Sequence, residues 1–324
     1  MDYLNFDKTV LTNLEKSLTK ELLRTNRSGA YSSSTLVGCN TRKYHGHLVI
    51  PVPSMGEDNH ILLSSMDETI IQHGAEFNIG LHKYAGDYYS PRGHKYIREF
   101  RMGSVATTIY RIGGVILQKE RILVSNENRV LVAYTLLDAH SATTLRLRPF
   151  LAFRSVNKLT EKNSVASTDY IEAENGVSFC MYEGYPNLVM QTNKQMEWVS
   201  EPNWYDGVEY SKEAERGYAF KEDLFVPGYF ELSIKKGETI RLTVNLSDNA
   251  GNVELLKRTS ADGYRDENNP NNSWPNFFSA YSEPSVNRYD SSTYLATDHY
   301  DWVITADKVT NGYVTLSQTT FHST

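Results

Sequence analysis

An all-β fold, built as an antiparallel sandwich, is what the sequence predicts, and three observations predict it. Short runs rich in β-branched and aromatic residues recur from Ser32 onward, among them "NHILLSSMDETIIQ", "SVATTIYRIGGVILQKERILV", "TTLRLRPFLAF" and "YFELSIKKGETIRLTVNLS". Asn, Asp, Gly and Pro stand between the runs, and these are the residues that make turns. Strands this short and this closely spaced indicate a sandwich and not βαβ units.

Taken in order, Asp7–Leu23 places Leu11, Leu14, Leu18 and Leu22 at roughly helical spacing, so a short helix or a strand leading onward fits there. "RTNRSGAYSSSTLVG" at Arg24–Gly38 is a hydroxyl-rich loop in which Gly29 and Gly38 permit tight turns. "IGGV" at Ile112–Val115 reads as a two-residue hairpin turn, and "KKGE" at Lys235–Glu238 as another turn. Pro227-Gly228 is expected to turn the chain into its last strand. After Asp248 the hydrophobic pattern is lost in a stretch dense in Asn, Asp, Ser and Tyr, with some β character returning in "YDWVIT". A compact domain over residues 1–250 and an irregular tail over 251–324 are therefore expected.

Composition narrows the function. The 324 residues are 40% hydrophobic, enough for a sizeable core, and carry a formal charge of −6 without a long basic run. No nucleic-acid partner is expected on that footing. No apolar run reaches the ~20 residues of a membrane span, and the N-terminus lacks a charged stretch followed by an apolar one. A cytoplasmic location is the default expectation. Cys39 and Cys180 lie in apolar or β-like surroundings and read as small buried thiols. His45 and His47 form an HxH pair with no third ligand at metal spacing, so no metal is expected. No phosphate loop, nucleophile elbow or HExxH appears, and no cofactor is expected.

The densest polar motif is "NTRKYHG" at Asn40–Gly46, set between "TLVGC" and "HLVI". As a strand it would put Asn40, Arg42, Tyr44 and Gly46 on one face and Thr41, Lys43 and His45 on the other. Such a segment cannot lie wholly in a core, because an unpaired buried Arg or Asn costs several kcal/mol. Two readings fit: a polar network pinning the sheet to its neighbours, or a hydrogen-bonding wall for a polyhydroxylated ligand. A second cluster, Asn203–Phe230, offers flat rings for sugar stacking in Trp204, Tyr205, Tyr210 and Tyr218. It also holds Glu213, Glu215, Glu222 and Asp223. A glycosidase needs two carboxylates across the scissile bond, and adjacent Glu222 and Asp223 would point to opposite faces of a strand. Pairing of these acids with Arg216 and Lys221 is the simpler reading. In a third cluster, "LRPFLAFRSVNKLT" at Leu147–Thr160, Arg154 and Asn157 sit where a strand leaves the core.

In this order the three clusters, together with "LLRTNRSGAYSSSTLVGCNTRKYHGHLV", "LLSSMDETI" and "WYDGVEYSKEAERGYAFKEDLFVPGYFEL", closely resemble the N-terminal domain of bacterial and archaeal glycogen debranching enzymes of the amylo-α-1,6-glucosidase type. The resemblance runs from about Glu21 to Leu246. It implies a β-supersandwich that packs against an (α/α)-barrel carrying the catalytic acid and base, with an α-glucan (glycogen, limit dextrin or maltooligosaccharide) as partner. Asn40, Thr41, Arg42, Tyr44 and His45 carry over onto the family motif as substrate-binding or barrel-facing residues. Trp204, Tyr205, Tyr218, Glu222 and Asp223 join them from the second cluster, and no catalytic residue is assigned. Two departures are visible: Arg27-Ser28-Gly29-Ala30 replaces a more glycine-rich loop, and His47 stands where a short apolar residue is usual. A barrel does not fit after Ala250, so the expectation is a chain without one, its tail a frameshifted or truncated product. That would leave an apolar face for self-association. Three functions follow from these readings: a cleft-lining or bracing domain, a stand-alone glycan-binding module, and a compact enzyme with Glu222 or Asp223 as acid.

Overall fold

The computed structural model describes residues 4–103, 105–124 and 127–247, together with three short tail strands at Val286–Arg288, Thr293–Ala296 and Asp301–Thr305. Among the described residues the strands form two large, mostly antiparallel sheets, as the sequence predicts. Sheet A has nine strands in the order Leu4–Asp7, Ile97–Met102, Ala106–Ile112, Val115–Leu123, Arg129–Asp138, Thr239–Ser247, Asn187–Thr192, Gly176–Phe179, Tyr170–Ala173. Sheet B runs Glu197–Glu209, Lys221–Ile234, Thr143–Ser155, Asn59–Gln72, Gly46–Pro51, Tyr31–Thr35, Glu21–Thr25, with Ala75–Asn78 beside Asn59–Gln72. The tail strand Asp301–Thr305 pairs with Glu21–Thr25 at the far edge, through Arg24↔Trp302 and Thr25↔Asp301. The rest of the 251–324 tail lies outside the described residues.

The expected turns are in place. Gly113-Gly114 closes a hairpin in which Ile112 faces Val115, and Gly113 takes the positive φ of 56° that the tight turn requires. "KKGE" passes the chain from sheet B to sheet A between Lys221–Ile234 and Thr239–Ser247. The N-terminal leucine pattern does not make one helix. Asp7 caps Lys8–Leu11 and Asn13 caps Leu14–Ser17, each accepting a backbone N–H, so two four-residue helices form before Glu21–Thr25 turns extended.

Pro227-Gly228 corrects a sequence expectation. It makes no turn; Lys221–Ile234 runs straight through it as one strand. Before it Leu224 and Val226 face outward from the sandwich, and after it Phe230, Leu232 and Ile234 face the inter-sheet core. The even-numbered side chains thus change face across this pair, where both neighbouring ladders shift register. Proline lacks the ladder N–H, and Gly228, at φ 152°, leaves no room for a Cβ, which would lie 2.1 Å from the Val199 carbonyl oxygen.

The main core lies between the sheets, with Leu145, Leu147, Phe230 and Leu232 from sheet B meeting Val130, Val132, Leu242 and Val244 from sheet A. Polar stitches cross it. Glu68 of sheet B accepts from Tyr134 Oη of sheet A at 2.7 Å and pairs with Lys119 at 2.5 Å. Burial, with Arg121 and Lys119 close by, holds the His47 pKa well below its ordinary value. A second apolar cluster covers the outer face of sheet B: Tyr31, Val49, Ile61, Phe150, Ala152, Tyr210, Leu224 and Val226. It is not open to solvent, because loops of the same chain roof it. Cys39 is buried and its thiol is pushed up to about 12; Cys180 is only half-buried, short of the burial expected.

Candidate functional site

The roof over the outer face of sheet B is where the three sequence clusters meet. Asn40–His45 is not a strand; it is the loop between Tyr31–Thr35 and Gly46–Pro51, which explains how it holds polar groups on every side. Gly46 ends it because a Cβ there would meet Val49 at 2.7 Å and Ile61 at 3.0 Å.

Beneath the roof lies a buried ion pair. Extending the Leu151↔Phe225 register by three residues sets Arg154 opposite Glu222, on the face that carries Phe150, Ala152, Leu224 and Val226. Arg154 is 5% exposed and Glu222 1%. Arg154 donates through Nε and Nη2 to Glu222, the second bond at 2.7 Å, and Tyr210 Oη donates to the same carboxylate. Burial works against the guanidinium charge, and the Glu222 carboxylate outweighs it, so the Arg154 pKa is raised.

This pair clamps the roof loops. Arg154 Nη2 donates to the Lys43 carbonyl at 3.0 Å, and the Thr160 N–H donates to Glu222 at 3.0 Å. Asp223 N donates to the Thr160 carbonyl at 2.8 Å, and Lys212 N donates to the Thr41 carbonyl at 2.9 Å. Lys43 Nζ reaches the Asn157 carbonyl at 3.4 Å. Loops from 40–46, 156–163 and 207–220 are thereby joined through one buried carboxylate and one buried guanidinium.

The NTRKYHG residues fall into two groups. Asn40, Thr41 and His45 are buried. Asn40 accepts from Ser34 Oγ at 2.9 Å and donates to the Ser64 carbonyl at 3.2 Å. Thr41 N donates to His45 Nδ1 at 3.1 Å. Glu21 receives Arg42 Nε at 3.0 Å and Thr41 Oγ1 at 3.3 Å. Burial opposes the Glu21 charge, but His45 and Arg42 beside it hold its pKa below the ordinary carboxylate value. Arg42, Lys43 and Tyr44 are only half-buried and form the loop's outer side. Tyr31 Oη donates to the Tyr44 carbonyl at 2.8 Å and fixes it from below.

The second cluster is divided by the strand period. Tyr205 pairs with Leu224 and packs on Phe150 on the roofed face, whereas Trp204 pairs with Phe225 and packs on it toward the inter-sheet core. The two rings do not form one platform. Tyr210 is fully buried and offers no stacking face. Tyr218 is 54% exposed, with the Arg216 guanidinium over its ring at 4.8 Å. Glu222 and Asp223 do point apart, but neither carboxylate is idle: Asp223 accepts from Gly207 N at 2.7 Å and Lys162 N at 2.9 Å. Arg216 lies 3.7 Å from Glu213, while Lys221 pairs with Glu209 at 3.7 Å. Glu21 and Tyr31 went unread in the sequence because their partners are 13 to 21 residues away.

A family profile described as glycogen debranching enzyme N terminal matches residues 20–241, more than half of the chain. No curated protein matches. Among solved structures, a bacterial glucoamylase complexed with acarbose is similar at 9% identity with a TM-score of 0.38, over 82% of this chain and 35% of that one. A polysaccharide lyase is similar at 12% identity with a TM-score of 0.29, over 74% of this chain and 35% of that one. The chain thus spans about a third of the length of these structures. By its matched residues, which hold all three converging clusters, the chain belongs to the glycogen debranching enzyme N-terminal family.

Proposed function

We propose that this chain supplies the cleft-lining and bracing domain of a debranching glycoside hydrolase acting at α-1,6-glucosidic branch points of glycogen. The roof is the surface turned to the α-glucan and to an (α/α)-barrel that carries the acid and base. The observation that carries this reading is the convergence of three distant clusters on the Arg154–Glu222 clamp. A buried ion pair is weak as a source of stability, since apolar replacements are often as good, but it fixes geometry. Here what it fixes is a surface edged by Arg42, Lys43, Tyr44, Asn157, Tyr205 and Tyr218. Their guanidinium, amine, amide, phenol and ring faces suit a polyhydroxylated ligand. Asn40, Thr41, His45, Glu222 and Asp223 serve from beneath, by holding the loops, and Trp204 serves by packing. Glu222 and Asp223 have no part as a catalytic acid in this reading, because both are committed to Arg154 and to backbone N–H groups. A cytoplasmic setting belongs to the same proposal, as does binding to limit dextrin and maltooligosaccharide.

Native electrophoresis through gels with and without glycogen tests it. Retardation by glycogen that is weakened in Tyr218→Ala is the expected result. Unchanged mobility in glycogen would remove the glucan-facing role and leave a bracing role alone. Retardation as strong as wild type in Tyr218→Ala together with Arg42→Ala would move the glycan site elsewhere, as in a stand-alone binding module.

A further inference from the structure

We propose a second saccharide site, away from the roof: the cavity at the end of the sandwich takes one or two glucose units of a neutral α-glucan. The choice of glucose rests on the function proposed above; the site itself rests on the cavity. Its volume is about 400 Å³, and it lies between the end of the Gly46–Pro51 strand with the turn after it, the Gly184–Asn187 turn, Asn128 and Leu246. That is near the lower end of the ~300–1,000 Å³ range of ligand pockets, which suits a short saccharide better than a long chain.

Three features select the ligand class. Among the described residues no lining residue is Asp, Glu, Lys, Arg or His, so an anion or cation would lose its hydration without gaining a counter-charge from them. Apolar surface comes from Pro51, Pro53, Pro186 and the Tyr185 ring, which suit the C–H faces of a pyranose. The polar groups of the described lining are neutral and suit hydroxyls: the side-chain amides of Asn128 and Asn187, and the Ser54 hydroxyl, which donates to the Gly184 carbonyl at 3.1 Å and keeps its lone pairs free to accept.

The wall is also held in advance. Tyr185 Oη is 2.7 Å from His60 Nδ1, and its ring meets Phe153 edge-on at 5.4 Å. The prolines fix φ along both sides. A pocket ordered before binding loses little entropy when a small ligand enters.

Calorimetric titration of the full chain with maltose, maltotriose and glucose 6-phosphate tests the proposal. Maltose should bind, and glucose 6-phosphate should bind at least tenfold more weakly. Ser54→Trp, which fills the cavity from an exposed position, and Asn128→Leu, which removes a lining amide, should each weaken maltose at least tenfold while melting with the wild type. Maltose affinity unaffected by Ser54→Trp and Asn128→Leu would overturn the site, as would equal binding of the phosphate ester or no maltose binding at all. Weakened glycogen retardation in Tyr218→Ala with wild-type behaviour in the cavity variants leaves the roof standing and the cavity refuted. The reverse pattern refutes the roof and leaves the cavity.

Discussion

At the roof, Arg154 and Glu222 form an ion pair at 5% and 1% exposure, whereas the cavity has no charged side chain in its lining among the described residues. The roof's charges face inward and join loops drawn from three parts of the sequence. The cavity's described lining is neutral, with Ser54, Asn128 and Asn187 beside three prolines and Tyr185. The contrast separates two uses of polar groups. A charge pair under a surface sets the surface's shape and is costly to break from one side. Neutral groups around an empty volume set which ligands can enter.

The comparison breaks most sharply at the clamp. Glu222→Gln leaves Arg154 buried without its counter-charge and should lower stability by about 3–5 kcal/mol in urea unfolding. Joint replacement of Arg154 and Glu222 by Met should recover much of that loss. If Glu222→Gln alone costs under about 1 kcal/mol, the pair is not a clamp.

Next in size is Gly228→Ala, which meets the Val199 carbonyl and a φ of 152° together. It should cost about 2–3 kcal/mol and disturb the face change that puts Glu222 outward. A thermal melt within 2 °C of wild type would show that the strand can shift there, about 2 °C being the smallest response expected of a 1 kcal/mol change.

Acid sharpens the contrast between the core and the roof. Burial lowers His94 to about 4 and His47 well below its ordinary value. Between those values and an unfolded value near ~6.5 the unfolded chain binds more protons, so stability falls as pH falls through that window. His94→Gln should flatten the decline from pH ~6.5 down to about 4, read from unfolding midpoints. An unaltered slope would mean that His94 does not contribute.

Smaller again, Asn40→Ala removes bonds to Ser34 and Ser64 and should cost about 1–2 kcal/mol. Least of all, Tyr218→Ala should change stability by no more than about 0.5 kcal/mol while weakening glycogen retardation.

Much of the fold was legible in the sequence because its signals are local. Gly113-Gly114 and Lys235–Glu238 announce turns within four residues. The site was legible as clusters but not as an assembly. Nothing local says that Arg154 opposes Glu222, since 68 residues separate them. Asn40–His45 invites a strand reading because apolar runs flank it, but its polar side chains on both faces fit the loop that the structure shows. Pro227-Gly228 looked like a turn because the same residues make turns and bulges, and only the neighbouring strands decide between the two. Trp204 and Tyr205 both offer flat rings in the sequence, and the two-residue strand period sends them to opposite faces.

The most direct test of the account is amide hydrogen exchange on wild type and Glu222→Gln under native conditions. The account predicts that segments 40–46, 156–163 and 207–220 lose protection together, while 184–187 beside the cavity keeps its own. Loss confined to the immediate neighbours of residue 222, with the 40–46 loop as protected as before, would contradict the claim that one buried pair holds the roof as a unit.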